Sequence, residues 1–159
     1  MKRHCSHLIL DIIFSDGTAL EVIGNIKKLY PSLNIMIFSM QLAEVYAEAF
    51  RQYDVHYFLS KSTSEDSTLI MLKRFLHNDP PPAIEHNAIK QKNPFSSLSP
   101  RELEVIHYVL NGHPTKSIAK TLNLGMSTVS TLKKRIYEKT ETENLKQLME
   151  LASLYDINF

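Results

Sequence analysis

Apolar residues in the first half of the chain follow two alternating patterns. Leu8-Ile9-Leu10-Asp11-Ile12 is a short run with β-branched members, the pattern of a buried strand. From Ala19 to Leu29 the positions Leu20, Ile23, Ile26 and Leu29 recur every third residue, which predicts an amphipathic helix ended by Tyr30-Pro31-Ser32. A second strand is predicted at Ile35–Phe38, and a helix over 45–53 with Tyr46, Ala49 and Phe50 on one face. A third strand follows at 55–59, then a helix over 64–77 with Leu69, Leu72 and Leu76 on one face. Strands alternating with helices predict parallel β-α-β units.

The second half has no strand pattern. Ser99-Pro100-Arg101-Glu102 is a helix start, with Ser99 as cap, Pro100 at the first helical position and Glu102 completing a capping box. Leu103, Ile106 and Leu110 form the inward stripe, and Gly112 fits the stop. Thr115 is the expected cap of a short helix over 116–122, with Ile118, Ala119 and Leu122 inward. After the turn Asn123-Leu124-Gly125, a third helix over 127–139 carries Val129, Leu132 and Ile136 inward. A fourth over 145–155 carries Leu148, Leu151 and Ala152. Two helices joined by a tight turn, the second with polar and basic residues outward, predict a helix-turn-helix.

Between the halves lies a polar stretch containing Pro80-Pro81-Pro82, in which each proline holds its predecessor out of the helical region. The predicted organisation is therefore residues 1–78, a linker over 79–95, and residues 96–159. The fold class is α/β, with three parallel strands and their helices, followed by an all-α four-helix domain.

Charge sharpens this division. The 159 residues carry 18 Lys+Arg and 17 Asp+Glu, a net charge of +1. Residues 96–139 alone carry 7 basic and 3 acidic groups, whereas residues 140–159 carry 1 and 4. The positive charge thus sits on the predicted helix-turn-helix, and an acidic tail hides it from the total. The single cysteine, Cys5, excludes an intramolecular disulfide and fits a reducing compartment. No apolar run approaches the roughly 18 residues of a membrane span. The expectation is a cytoplasmic protein with no membrane partner.

In a helix-turn-helix the second helix enters the major groove and flanking cations hold phosphates. With Val129, Leu132 and Ile136 inward, Ser127, Ser130, Thr131 and Lys134 point outward, and Lys133 and Arg135 lie on the flanks. Lys116 is placed to grip the backbone. Composition alone also allows a solvated basic face in a helical bundle.

The run "LSPRELEVIHYVLNGHPTKSIAKTLNLGMSTVSTLKKRIYEK" resembles the LuxR/NarL-type helix-turn-helix of bacterial transcription regulators. The L-S-P-R-E start, Gly112, the Lys116–Ile118–Ala119 pattern and Thr128-Val129 sit at family spacing. The resemblance spans nearly all of 96–159 and adds Thr128 to the expected DNA contacts. Where many members carry Lys and His after that valine, this chain has Ser130 and Leu132, and Gly125 stands where a serine cap is usual. The resemblance implies double-stranded promoter DNA as partner and a homodimer on that DNA.

In the N-terminal half, Asp11, Ser39 and Lys61 fall at or after the ends of three predicted neighbouring strands, where ligand sites of parallel sheets lie. A carboxylate, a hydroxyl and an ammonium together suit the handling of a phosphoryl group. Residues 7–77 are similar to the second half of a response-regulator receiver of CheY-like type, the input domain of two-component phosphorelays. "LILDI" matches the strand bearing the phosphoacceptor, which makes Asp11 that residue. "FSMQLAEVYAEAF" places Ser39 at the switch hydroxyl. "YFLSK" places Phe58 at the switch aromatic and Lys61 at the lysine. A complete receiver begins with a strand-helix-strand unit whose acidic pair holds Mg²⁺. Residues 1–10 contain no Asp or Glu, so the resemblance starts at the third receiver strand. No cofactor is expected, and phosphorylation of Asp11 is expected to be weak or absent.

The leading function is a DNA-binding transcriptional regulator of two-component type, with a sensor histidine kinase as a further partner. The alternative is a protein-interaction module in which the half receiver and last helix pair with another regulator or sensor. An enzyme is not expected, because no nucleophile elbow, phosphate loop or metal-ligand cluster is present. His4 and His7 have metal-compatible spacing but read as solvated side chains at a terminus.

Overall fold

A computed structural model describes residues 5–81 and 93–157. The chain divides into two compact units, residues 1–89 and 90–159.

The first unit is built on three parallel strands in the order β1 (His7–Leu10), β4 (Asn34–Ser39), β5 (Tyr57–Ser60). In register, Ile9 lies beside Met36 and Met36 beside Tyr57, so these side chains share one face. The helix α1 (Ala19–Leu29) links β1 to β4 and α2 (Ala43–Arg51) links β4 to β5. Right-handed crossovers place both on one face of the sheet. Helix α3 (Glu65–Leu76) lies on the other, where Phe75 joins Met36 and Leu59 in a core that Phe38, Tyr57, Met71 and Leu72 flank.

Several expectations shift. Between β1 and α1 the chain forms a two-stranded hairpin, β2 (Ile13–Phe14) with β3 (Gly17–Thr18), closed by Ala19 N–H donating to Ile12 O at 2.7 Å. Strands of two residues are too short to show a period. The third strand starts at Tyr57 rather than Val55. Asp54 takes a left-handed conformation and Val55 N–H bonds back to Phe50 O, so Val55 belongs to the turn that ends α2. The stripe Leu69, Leu72, Leu76 is not the buried face of α3. Leu69 and Leu76 are 48% and 56% exposed, Leu72 is half-buried, and Phe75 is the buried anchor. One helix over a three-stranded face leaves its flanks uncovered.

The second unit is helical: α4 (Pro100–Leu110), α5 (Thr115–Thr121), α6 (Met126–Thr140) and α7 (Leu145–Leu154). Its entry is the 3₁₀ turn Pro94–Ser97, which buries Phe95 completely, with Asn93 Oδ1 accepting from Phe95 N–H. Residues 93–95 therefore belong to this unit, although their polar, Pro-containing neighbours read as linker. At the other margin, the Tyr57 hydroxyl donates to Asp79 O and Arg74 to Pro80 O, holding residues 79–80 against the first unit. The linker residues 82–92 lie outside the described residues, as does His4.

The start of α4 carries the capping box of Ser99 and Glu102, and Gly112 adopts the left-handed φ of +77° that ends the helix. Thr115 does not cap α5. The cap position is Pro114, which has no side-chain oxygen to offer, and Thr115 is the first helical residue. Helix α6 packs on both α4 and α5 through Val129, Leu132 and Ile136, and Leu148 and Ala152 seat α7.

Candidate nucleic-acid interface and receiver site

Helices α5 and α6 meet at a turn in which Asn123 adopts a left-handed conformation. Burial of Val129, Leu132 and Ile136 fixes the rotation of α6. Ser127, Thr128, Ser130, Thr131, Lys134 and Arg135 then face solvent, while Lys133 is half-buried on the flank. Lys116 is exposed in the first turn of α5.

The hydroxyls are not idle. Ser130 Oγ donates to Met126 O at 2.9 Å and Thr131 Oγ1 to Ser127 O at 3.0 Å. Their oxygens remain acceptors toward an incoming donor. Lys134 lies 3.7 Å from Glu138, both highly exposed, an ion pair worth little in water. Among the described residues, no carboxylate pairs with Lys116, Lys133 or Arg135.

The N-terminus of α6 is equally open. Gly125 occupies its cap with no side-chain bond, and its first turn holds no acidic residue. The amides and the positive end of the helix dipole are left to whatever anion approaches.

The far end of α6 is fixed by a contact that sequence reasoning did not find. Lys139 Nζ donates to Glu102 Oε2 at 2.6 Å and to Ser97 O at 3.0 Å. Glu102 Oε2 also accepts Ser99 N–H at 2.8 Å. Burial raises the Glu102 carboxyl, but these hydrogen bonds outweigh it and hold its pKa below the ordinary value. One buried carboxylate thus caps α4 and pins the end of α6. The partners are distant in sequence, so only the capping half of the role was legible.

In the first unit, Asp11 follows β1, Ser39 ends β4 and Lys61 follows β5, and the sheet order brings the three together. Asp11 Oδ1 accepts Ser39 Oγ at 2.6 Å and Ile12 N–H at 2.7 Å, and Lys61 Nζ donates to Oδ2. Burial raises the Asp11 carboxyl, and the bonds from Lys61, Ser39 and Ile12 lower it further than burial lifts it. Phe58, half-buried on β5, lies beside Ile37 in register. The ring in contact with the lysine is instead Phe38, whose centroid is 5.9 Å from Lys61 Nζ. That residue was read only as part of a strand.

Both carboxylate oxygens of Asp11 are engaged by protein donors, and among the described residues no group of three or more His, Cys, Asp or Glu side chains gathers to hold a metal.

A model of bacterial regulatory proteins of the luxR family matches residues 96–152. A putative transcriptional regulator of Pseudomonas aeruginosa is 30% identical over 163 residues, covering 98% of this chain and 79% of that protein. The response regulator protein VraR of Staphylococcus saprophyticus is 21% identical over 158 residues, covering 94% and 75%. Among solved structures, RcsB from Salmonella enterica serovar Typhimurium, bound to promoter P1flhDC in the presence of phosphomimetic BeF3-, matches with a TM-score of 0.77. Its identity is 24%, over 96% of this chain and 77% of RcsB, a likeness of fold. The chain spans about three quarters of each relative. With a helix-turn-helix of this geometry, and a half-receiver sheet before it, the chain belongs to the luxR family of bacterial regulatory proteins, transcription regulators of the response-regulator kind that bind DNA.

Proposed function

We propose that this regulator binds promoter DNA as a homodimer by seating α6 in the major groove. The carrying observation is the outward face of α6: hydroxyls at Ser127, Thr128, Ser130 and Thr131, with Lys134 and Arg135 beside them, above a fully seated core stripe. Hydroxyls and lysine read base edges, and Lys116, Lys133 and Arg135 neutralise phosphates on either side. The clamp between Lys139 and Glu102 sets the tilt of the helix and so the register of those contacts. RcsB, of the same fold, is described on promoter DNA and as dimers on DNA.

A mobility-shift titration of the full chain on promoter fragments, repeated across a salt series, tests this. Affinity falls steeply as salt rises, because each phosphate contact releases counterions. Lys134→Ala weakens specific binding by about 1–3 kcal/mol if it meets a guanine. If it meets a phosphate, it lowers the salt slope by about one instead. Binding that ignores salt overturns the reading, and unchanged affinity in the variant removes Lys134 from the interface.

The N-terminal unit, on this reading, is a receiver impaired in phosphorylation. Lys61 and Ser39 already engage both carboxylate oxygens of Asp11, and among the described residues no group of three or more His, Cys, Asp or Glu side chains gathers beside it. A sensor histidine kinase therefore acts on it poorly. Incubation with acetyl phosphate and Mg²⁺, followed by intact-mass measurement, gives substoichiometric label. Stoichiometric label at Asp11 that Asp11→Asn abolishes overturns this half of the reading.

A further inference from the structure

The head of α6 carries a side chain that neither core packing nor helix chemistry explains. Met126 is the first residue of the helix, directly after the cap Gly125, and it is 57% exposed. The other exposed large apolar residues of this unit, Leu145, Met149 and Leu154, all belong to α7. Along α4, α5 and the rest of α6, every large apolar side chain is buried or half-buried. The start of a helix favours proline or an acid, and the acid gains from the free amides and the dipole. A methionine gains nothing there.

Its place in the helix is informative. Residues 126, 130 and 134 are successive i, i+4 steps of α6 and lie in one row. The row runs alongside the exposed Ser127 and Thr131, clear of the buried stripe of Val129, Leu132 and Ile136. Ser130 Oγ donates to Met126 O at 2.9 Å, so its hydrogen is committed to the backbone. Toward an incoming base, Ser130 is then an acceptor alone. The row therefore reads apolar, acceptor, cation, in the order Met126, Ser130, Lys134.

Base edges answer that order in one way. In the major groove the apolar group is the C5 methyl of thymine, and the donors are the amino groups of adenine and cytosine. An A·T pair presents methyl and amino group together, whereas a G·C pair has no methyl. We propose that Met126 reads a thymine methyl, with Ser130 accepting from the adenine amino group of the same pair, so that the head of α6 selects A·T. The unbranched, polarizable thioether follows the methyl without demanding a single rotamer. Contact with it takes apolar surface of both partners out of water. This deepens the proposed function and rests on its seating of α6 in the major groove.

The test uses the full chain and a library of random DNA duplexes. Selection by the native chain is expected to enrich sites with one fixed A·T pair, which Met126→Ala relaxes. On the enriched duplex, exchanging that thymine for deoxyuridine removes the methyl and nothing else. The dissociation constant of the native chain is expected to rise about fourfold, the worth of one buried methyl. Met126→Ala is expected to bind both duplexes equally. Met126→Leu keeps the preference, and Met126→Gln, similar in length but polar, loses it. Ser130→Ala is expected to weaken binding to both duplexes about fivefold, the worth of one hydrogen bond, with the thymine preference retained. Far-UV circular dichroism of each variant is expected to match the native chain, since both positions are exposed. Native binding indifferent to the methyl at every thymine of the site overturns the assignment and leaves the seating of α6 standing. A preference that survives in Met126→Ala does the same. Unchanged affinity in Ser130→Ala overturns the pairing with adenine. A chain that binds no duplex overturns the proposed function and this assignment together.

Discussion

Helices α3 and α4 are nearly equal in length, at 12 and 11 residues, and both are amphipathic by sequence. Yet α4 buries eight of its residues and α3 buries Phe75 alone. The difference is in the neighbours. Helix α4 is held by α6 and α7, whereas α3 lies on a three-stranded sheet with no second helix described beside it. Two units of one chain thus solve the burial problem to different degrees. The DNA-binding unit closes around its central helix, so that even Glu102 and Glu104 are enclosed and hydrogen-bonded or paired. The α/β unit leaves apolar side chains at its margin. Periodicity tells which face of a helix prefers burial, but the number of neighbours decides how much of that face gets it.

The comparison is broken most sharply by truncating the core of the closed unit. Ile106 has no exposed surface and sits at the centre of α4. Ile106→Ala is expected to cost about 2–5 kcal/mol, since the removed atoms leave a cavity that surrounding helices only partly fill. Thermal unfolding of the full chain is expected to show the transition of the helical unit fall well ahead of the other.

A smaller effect follows from the clamp. Lys139→Met leaves the Glu102 carboxylate enclosed with its strongest partner gone, at a cost of about 1–3 kcal/mol. The sign with pH is fixed by the lowered pKa of Glu102. Its folded value lies below the ordinary 4.5. The contribution is therefore fully present above that value and lost as pH falls through the lower one. Lys139→Met flattens that acid limb in urea titrations from pH 7 to 3. An unchanged limb removes the clamp from the stability of the unit.

How much was legible follows the same division. The helical unit announced itself locally. Ser99 and Glu102 cap where their spacing placed them, and Gly112 stops α4. The inward stripe of α6 is Val129, Leu132 and Ile136, as its period required. In the α/β unit, the strand order and the gathering of Asp11, Ser39 and Lys61 were readable because alternating strands and helices allow few topologies. What escaped was short or long-range. The β2–β3 hairpin has too few residues to carry a period. The contact of Phe38 with Lys61, and that of Lys139 with Glu102, join residues that no local pattern links. The exposure of Leu69 and Leu76 escaped for a further reason: a stripe of leucines looks the same whether or not a partner covers it.

The smallest effect is the sharpest test of that last point. Leu69 is half exposed on α3 and contributes little to the Phe75 core. In dilute monomer, Leu69→Ser is expected to change stability by no more than about 0.5 kcal/mol, the range of ordinary surface substitutions. The same change in Phe75, which touches the rings of His7 and Tyr57, would open a cavity. If Leu69→Ser costs several times more in dilute solution, α3 is covered within a single chain and the contrast with α4 disappears. If its cost grows with protein concentration, the leucine is buried between copies. Denaturant unfolding at two concentrations about a hundredfold apart separates these outcomes, because only an interface couples stability to concentration.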